Sequence, residues 1–409
     1  MTEPETYRRP LRDPAILSLA VGETIVWAGM FYLFPAMIAR WESDFGWSKT
    51  DLAGAFTAAL VVSAFGAPLA GRLIDKGHGR VVMVTCAAIG GVMVGSLSLV
   101  ETLTQFYAIW LIIGFSMAGC LYEPCFALLT HFRGLEAKRA ITAITLVAGF
   151  AGTVSFPTAN ILAEFWGWRA GTWTFGAGIL FIAVPLFLYG GRARSHGKSD
   201  DEPDLTKIAA ASDPNGGLRN ALRHPAFWLL AIAFPMITMN HGVLLNHLLP
   251  MLGERGVSIE ISVLAASTFG PMQVAGRLGM MALEKRVSMQ VICAFSFVFM
   301  AVASLFLFFA GASTWLIFAF VMFQGSGYGV TSITRPTVTV ELLGRTGFGA
   351  ISGALAMPFM AAFAAAPTLA AVIWSAGGYS MVIIAAIGMV VVGFLAFVGA
   401  VMSARTKSP

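Results

Sequence analysis

GRLIDKGHGR, residues 71–80, is the stretch on which the reading of the fold turns. It is a short, charged, glycine-punctuated loop between two long apolar runs. A second version, GRLGMMALEKR, begins at Gly276, 205 residues later. A second pair of landmarks repeats at nearly the same distance. Glu123-Pro124 and Arg335-Pro336 lie 212 residues apart. Two landmarks at nearly one offset imply a duplicated unit, and parallel halves with a site between them are a transporter plan.

Working outward, the whole chain alternates between apolar runs and short charged stretches. Of its 409 residues 57% are hydrophobic and 11% charged, whereas a soluble domain carries about 25% charged residues. A bilayer crossing needs ~20 apolar residues. Twelve runs meet that need: roughly 14–39, 52–73, 80–100, 104–131, 140–163, 170–190, 225–251, 258–280, 287–310, 313–339, 346–373 and 378–402. They lack the alternation of barrel strands, so they read as helices. The expected fold is an all-α membrane protein, with twelve transmembrane helices in two six-helix halves. The first half is 1–190. The stretch 191–224, with its GKSDDEPD and SDPNGG, reads as a flexible cytoplasmic linker, and 225–409 as the second half. The apolar run after Arg8, Arg9 and Arg12 is too long for a signal-peptide core.

Lys and Arg set the orientation. With the N-terminus inside, 21 of the 26 fall in cytoplasmic segments, four outside (Arg40, Lys49, Arg169, Arg255), and Arg335 within a span. That asymmetry places both termini in the cytoplasm of a cell inner membrane. The net charge of +5 then faces anionic lipid, and no nucleic-acid partner is expected. Cys86, Cys120, Cys125 and Cys293 lie in apolar spans and form no metal-ligand pattern. There is no phosphate-binding G-x-x-x-x-G-K-[ST] loop and no nucleophile–base motif. The sequence therefore points away from enzymes and ATP-driven pumps, with no cofactor or metal, and with an ion gradient as the energy source.

GRLIDKGHGR resembles the signature loop of the major facilitator superfamily, with Gly71, Asp75, Lys76, Gly77 and Arg80 on its positions. Within that superfamily the chain is similar to the monocarboxylate and oxalate:formate porters. HFRGLEAKRAITAITLVAG (131–149) matches their loop and fifth helix at Lys138, Arg139, Ala148 and Gly149, and NHLLPMLGERGVS (246–258) the outer end of their seventh. Glu23 and Trp27 remain of their helix 1 motif, while their helix 8 arginine is missing. The resemblance implies alternating access around a cavity lined by helices 1, 4, 7 and 10. It implies that the signature loop tethers neighbouring helices on the cytoplasmic side. It also implies a monomer that takes a small, anionic substrate together with protons or a counter-substrate.

Charged residues within spans are costly and mark function by default. Glu23 and Glu123 lie nine and eight residues from the cytoplasmic ends of their spans, and Arg335 ten before the cytoplasmic Arg345, so about 12–15 Å deep at ~1.5 Å per residue. Arginine offers a planar fork matched to a carboxylate. Arg335 is expected either to anchor substrate or to pair with Glu123, as a gate or a fixed packing contact. Burial favours a protonated carboxyl and a nearby arginine an ionised one. Glu23, without an obvious partner, is the better proton carrier, and Glu123 a second. His241 titrates near neutrality and is a third coupling candidate. Tyr122, Trp27 and Asn240 complete the substrate-binding set. Competing readings are an exporter of another small solute and a transporter-like membrane sensor.

Overall fold

The computed structural model describes residues 13–133, 137–191, 214–284, 286–311, 313–344 and 348–405. Among the described residues every regular element is a helix. The chain separates into two compact units, Met1–Lys198 and Ser199–Pro409. In the first, α1 (Pro14–Val26) runs through a π-helical turn, Trp27–Tyr32, into α2 (Leu33–Phe45). There follow α3 (Lys49–Leu73), α4 (Gly79–Ser96), α5 (Leu103–Cys120), α6 (Tyr122–Arg133), α7 (Ala137–Ala148), α8 (Ala151–Gly178) and α9 (Val184–Gly190). The second holds α10 (Pro214–Leu222), α11 (Pro225–Asn246), α12 (Leu248–Glu254), α13 (Ile259–Leu283), α14 (Met289–Ala310), α15 (Thr314–Leu343) and α16 (Phe348–Arg405).

The short polar stretches between apolar runs are helix caps, which satisfy the free N–H groups of a first turn. Asp13 accepts from the Ala15 amide at 2.9 Å, with Pro14 opening α1. Ser48 accepts from Asp51 at 3.0 Å. Thr102 and Gln105 cap α5 reciprocally. His224, ahead of Pro225, accepts from Ala226 at 3.2 Å.

Nine helical segments among the described residues are long and apolar enough to cross a membrane. Two of them, 140–190 and 351–404, are over 50 residues long and hold two expected crossings each. They turn where glycine permits it, at Gly167 (φ 81°) and Gly378 (φ 68°). The eighth expected span, α13, has the length but falls short in hydropathy, because Ser262, Ser267, Thr268, Gln273 and Arg277 dilute it. Large apolar side chains point outward, Phe65 being 82% exposed and Trp315 79%. That is normal against lipid and costly against water. The chain is an all-α, multi-pass membrane protein.

Three expectations about helix limits are corrected. The fourth span is not continuous: Leu121 (φ −89°, ψ −160°) separates α5 from α6. The fifth breaks at Gly149-Phe150, between α7 and α8. The stretch read as linker is helical over Pro214–Leu222, where Leu218 and Ala221 join a core with Phe227, Phe234, Phe297 and Phe397. Residues 192–213 of that stretch lie outside the described residues.

Lipid is as apolar as leucine, so helices in it associate through close packing and hydrogen bonds. Both units use glycine for this. A Cβ at Gly114 on α5 would strike the backbone of Ala59 on α3, and one at Gly329 on α15 the backbone of Gln273 on α13. Each unit also carries a clasp from an indole to a carboxylate. Trp168 Nε1 donates to Asp44 at 2.9 Å, with Arg169 joining at 3.1 Å. Trp374 Nε1 donates to Glu254 at 3.1 Å.

Candidate functional site

The first unit gathers several of the expected site residues around its π turn. Such wide turns occur mostly inside α-helices at functional sites. Here Ser155 on α8 donates to the freed Ala28 carbonyl at 2.8 Å. Gly29 is packed against Ile179 and Phe175, and Gly152 lies beside Tyr32. The turn is thus held by α8 and the segment after it. It swings Trp27 against Tyr122, ring centroids 4.7 Å apart. Phe31 stands edge-on to Trp27 at 5.2 Å, and Phe126 stacks behind Tyr122 at 5.2 Å.

Glu23 lies one helical turn before Trp27 and is 0% exposed. Neither of its oxygens makes a hydrogen bond of standard geometry, and neither does the Trp27 indole N–H. Cys125 and Trp27 are its polar neighbours, and Glu123 is near enough to act on its charge. Glu123 occupies the first turn of α6, just past the Leu121 break, and its side chain is exposed. The positive end of a helix dipole suits a carboxylate. The two acids therefore differ in setting, one enclosed beside thiol and indole, the other open at a helix start.

In the second unit Arg335 projects from α15, and its guanidinium carbon lies 4.0 Å from the centre of the Phe359 ring. Cation–π contact with a ring face stabilises a charge held away from water. Along the same helix, Tyr328 lies flat against His241 of α11, with centroids 3.6 Å apart and planes 8° apart. Its hydroxyl is 3.1 Å from Thr238 Oγ1. Asn240 faces inward. Its Nδ2 donates to Ser304 Oγ at 3.2 Å and to the Ala386 carbonyl at 2.9 Å, and its Oδ1 accepts from Gln324 at 2.8 Å. The amide expected at the substrate is spent on joining α11, α14, α15 and α16.

The loop at 71–80 kinks within Ile74–His78, where Gly77 takes φ 86°. A side chain there would be strained. Lys76 is exposed. Arg80 packs its stem against the end of α9, where a Cβ on Gly191 would lie 2.8 Å from its Cγ. A Cβ on Gly71 would meet open space. The side chains of Asp75, Lys138 and Arg139 lie outside the described residues.

Sequence reasoning missed Gln324 and Tyr328, and named Cys125 only as a cysteine that could flank a site. Gln324 was detectable as a lone amide in an apolar run, with Tyr328 one turn further on. Cys125, two residues from Glu123, reads as one more small apolar residue until the fold sets it beside Glu23.

Solved transporter structures share this architecture. A bacterial homologue of the human lysosomal transporter Spinster, inward-facing and unoccupied, matches with TM-score 0.71 at 17% identity, over 98% of each chain. A bacterial homologue of Spinster in an inward-facing, occupied state gives 0.69 at 14% identity, over 98% of each chain. The nucleoside transporter NupG gives 0.70 at 14% identity, over 94% of this chain and 99% of its own. No curated protein sequence matches the chain. Residues 19–357, most of its length, match the Major Facilitator Superfamily. With its helical halves and glycine-packed spans, the chain belongs to the Major Facilitator Superfamily and is a membrane transporter, not an enzyme.

Proposed function

We propose that the protein is a secondary active transporter of a small organic anion, a carboxylate, which it moves by alternating access with protons or by exchange. The observation that carries this reading is Arg335, a permanent cation in a membrane-crossing helix, seated on Phe359 at 4.0 Å. A cation within a membrane span marks an ion pathway or a ligand site by default. Its fork of N–H groups fits a carboxylate edge-on while the ring supports its face. Glu23, enclosed in the other half, is the proton carrier in this reading. The likeness of 131–149 and 246–258 to carboxylate porters supports the same substrate class. The protein sits in the cell inner membrane with both termini cytoplasmic, as the Lys and Arg asymmetry indicates.

The test is uptake of radiolabelled solutes into proteoliposomes holding the purified protein, with and without a pH gradient. The panel spans carboxylates of several lengths and a nucleoside, since one of the similar structures is a nucleoside transporter. Carboxylate uptake should saturate and follow the gradient. Arg335→Lys should weaken binding and Arg335→Gln should bind least. Saturable nucleoside uptake with no carboxylate flux refutes the reading. So does unchanged carboxylate affinity in a folded Arg335→Gln protein.

A further inference from the structure

Among the buried polar atoms that the packing of the second unit leaves without a hydrogen bond, two belong to neighbouring turns where α11 meets α15, since Gln324 bonds Asn240 and His241 stacks on Tyr328. One is Gln324 Oε1, on a side chain 0% exposed, and the other is His241 Nδ1, on a side chain 3% exposed. Both side chains are rigidly aimed. The Ala386 carbonyl can only accept, so the Asn240 atom facing it is the NH2. Asn240 Oδ1 must then face Gln324, whose NH2 donates to it at 2.8 Å. The carbonyl end of Gln324 is therefore fixed as the one left over. His241 is held flat on Tyr328 at 3.6 Å, with Phe269 edge-on at 6.0 Å. Tyr328 in turn touches Thr238.

Gln324, Tyr328 and Arg335 are spaced by four and seven residues, so they share one face of α15. From Tyr328 to Arg335 the helix rises about 10 Å, and the arginine side chain leans back towards the helix N-terminus and shortens that gap. A buried polar group without a partner is costly, so these two atoms ask for one. Gln324 Oε1 accepts only, so the missing group must donate to it. His241 Nδ1 accepts or donates with its tautomer. A hydroxyl group meets both demands. A carbonyl or a methylene does not.

We propose that Gln324 and His241 form the hydrogen-bonding end of the substrate site, so that the transported anion is a carboxylate bearing a hydroxyl group distant from its carboxylate. This rests on the reading of Arg335 as the carboxylate anchor. Asn240 and Tyr328 are positioning residues, one orienting the Gln324 amide and the other the His241 ring. His241 then serves selectivity, not proton coupling.

Matched solutes test it: 6-hydroxyhexanoate against hexanoate, and 4-hydroxyphenylacetate against phenylacetate, each competing for carboxylate uptake into proteoliposomes of the full chain. The wild type should prefer the hydroxylated member at least tenfold, because a site built to bond a hydroxyl rejects the analogue without one. Gln324→Leu and His241→Phe should each bring that ratio towards one. Phenylalanine keeps the stack on Tyr328, so it tests the proposal even where Gln324→Leu does not fold. His241→Phe should keep the pH profile of flux. A wild-type ratio near one, alongside Arg335-dependent carboxylate uptake, overturns the proposal alone, and the two atoms then hold a water. A ratio unchanged in His241→Phe also overturns it, as does a shifted pH profile with the ratio intact. If no carboxylate is carried, the parent reading falls and this one with it.

Discussion

Asn240→Ala is the perturbation whose cost is most directly set by the structure. The amide makes three hydrogen bonds, at 3.2, 2.9 and 2.8 Å, to three other helices, and it is 0% exposed. Interhelical hydrogen bonds in membrane proteins average about 0.6 kcal/mol and reach about 1.7. Three of them sum to about 2–4 kcal/mol, since truncation also strands the Gln324 NH2. Ser304→Ala removes one of the three, and Ser304 keeps its bond to Met300 O in the wild type whether or not Asn240 is present. That variant should cost only about 0.6 kcal/mol. In the double variant the Ser304 change should add almost nothing to the Asn240 one, because both remove the same contact. Equilibrium unfolding in detergent, followed by tryptophan fluorescence, measures all three. The expected order is wild type, Ser304→Ala, then Asn240→Ala and the double variant together. An Asn240→Ala protein of wild-type stability that has lost substrate affinity refutes the argument. The amide would then be a ligand contact, as the sequence had suggested, and its bonds in the empty protein incidental.

Glu23→Gln keeps the shape of a buried carboxylic acid but cannot release a proton; the protein should fold normally and transport without pH dependence, and an intact pH-driven accumulation would remove Glu23 from the coupling step. Gly77→Val forces a β-branched residue to φ 86°, at a cost of about 1–2 kcal/mol; a lowered unfolding midpoint is expected, and an unchanged one would mean that the 74–78 turn relaxes freely. Trp374→Phe removes the indole donor to Glu254 and Trp168→Phe that to Asp44. The Trp374 bond is exposed, and the Trp168 indole is buried but its Asp44 acceptor is not, so each loss should be about 1 kcal/mol in global stability. It should appear instead as faster amide exchange at 44–47 and 252–256, and equal exchange in wild type and variants would mean that the clasps hold nothing.

The apolar runs were legible because a bilayer imposes length and composition on every crossing. What bends or rotates a helix left a weaker trace. The π turn at Trp27–Tyr32 contains no proline and is held from outside, by Ser155. The break at Leu121 falls on a leucine, between Gly119 and Pro124, and neither flank names the residue that departs from helix. Nor does a crossing apolar on all sides report its azimuth. Asn240 and His241 are neighbours on α11, one turned into the packing of four helices and the other onto Tyr328. A step of 100° between them decides which contacts a ligand, and only the fold supplies it. The clasps show the opposite case. Asp44 and Glu254 are 210 residues apart, and Trp168 and Trp374 are 206. Both offsets lie between the 205 and 212 that first revealed the repeat, so the signal was present. It stayed unread because each acid is more than 100 residues from its indole, and a duplicated residue pair means something only once the ends of the helices are known to meet. Repeats in such a chain are therefore best searched for pairs of polar residues at span ends, where lipid permits hydrogen-bonding groups and each half must hold its own helices together.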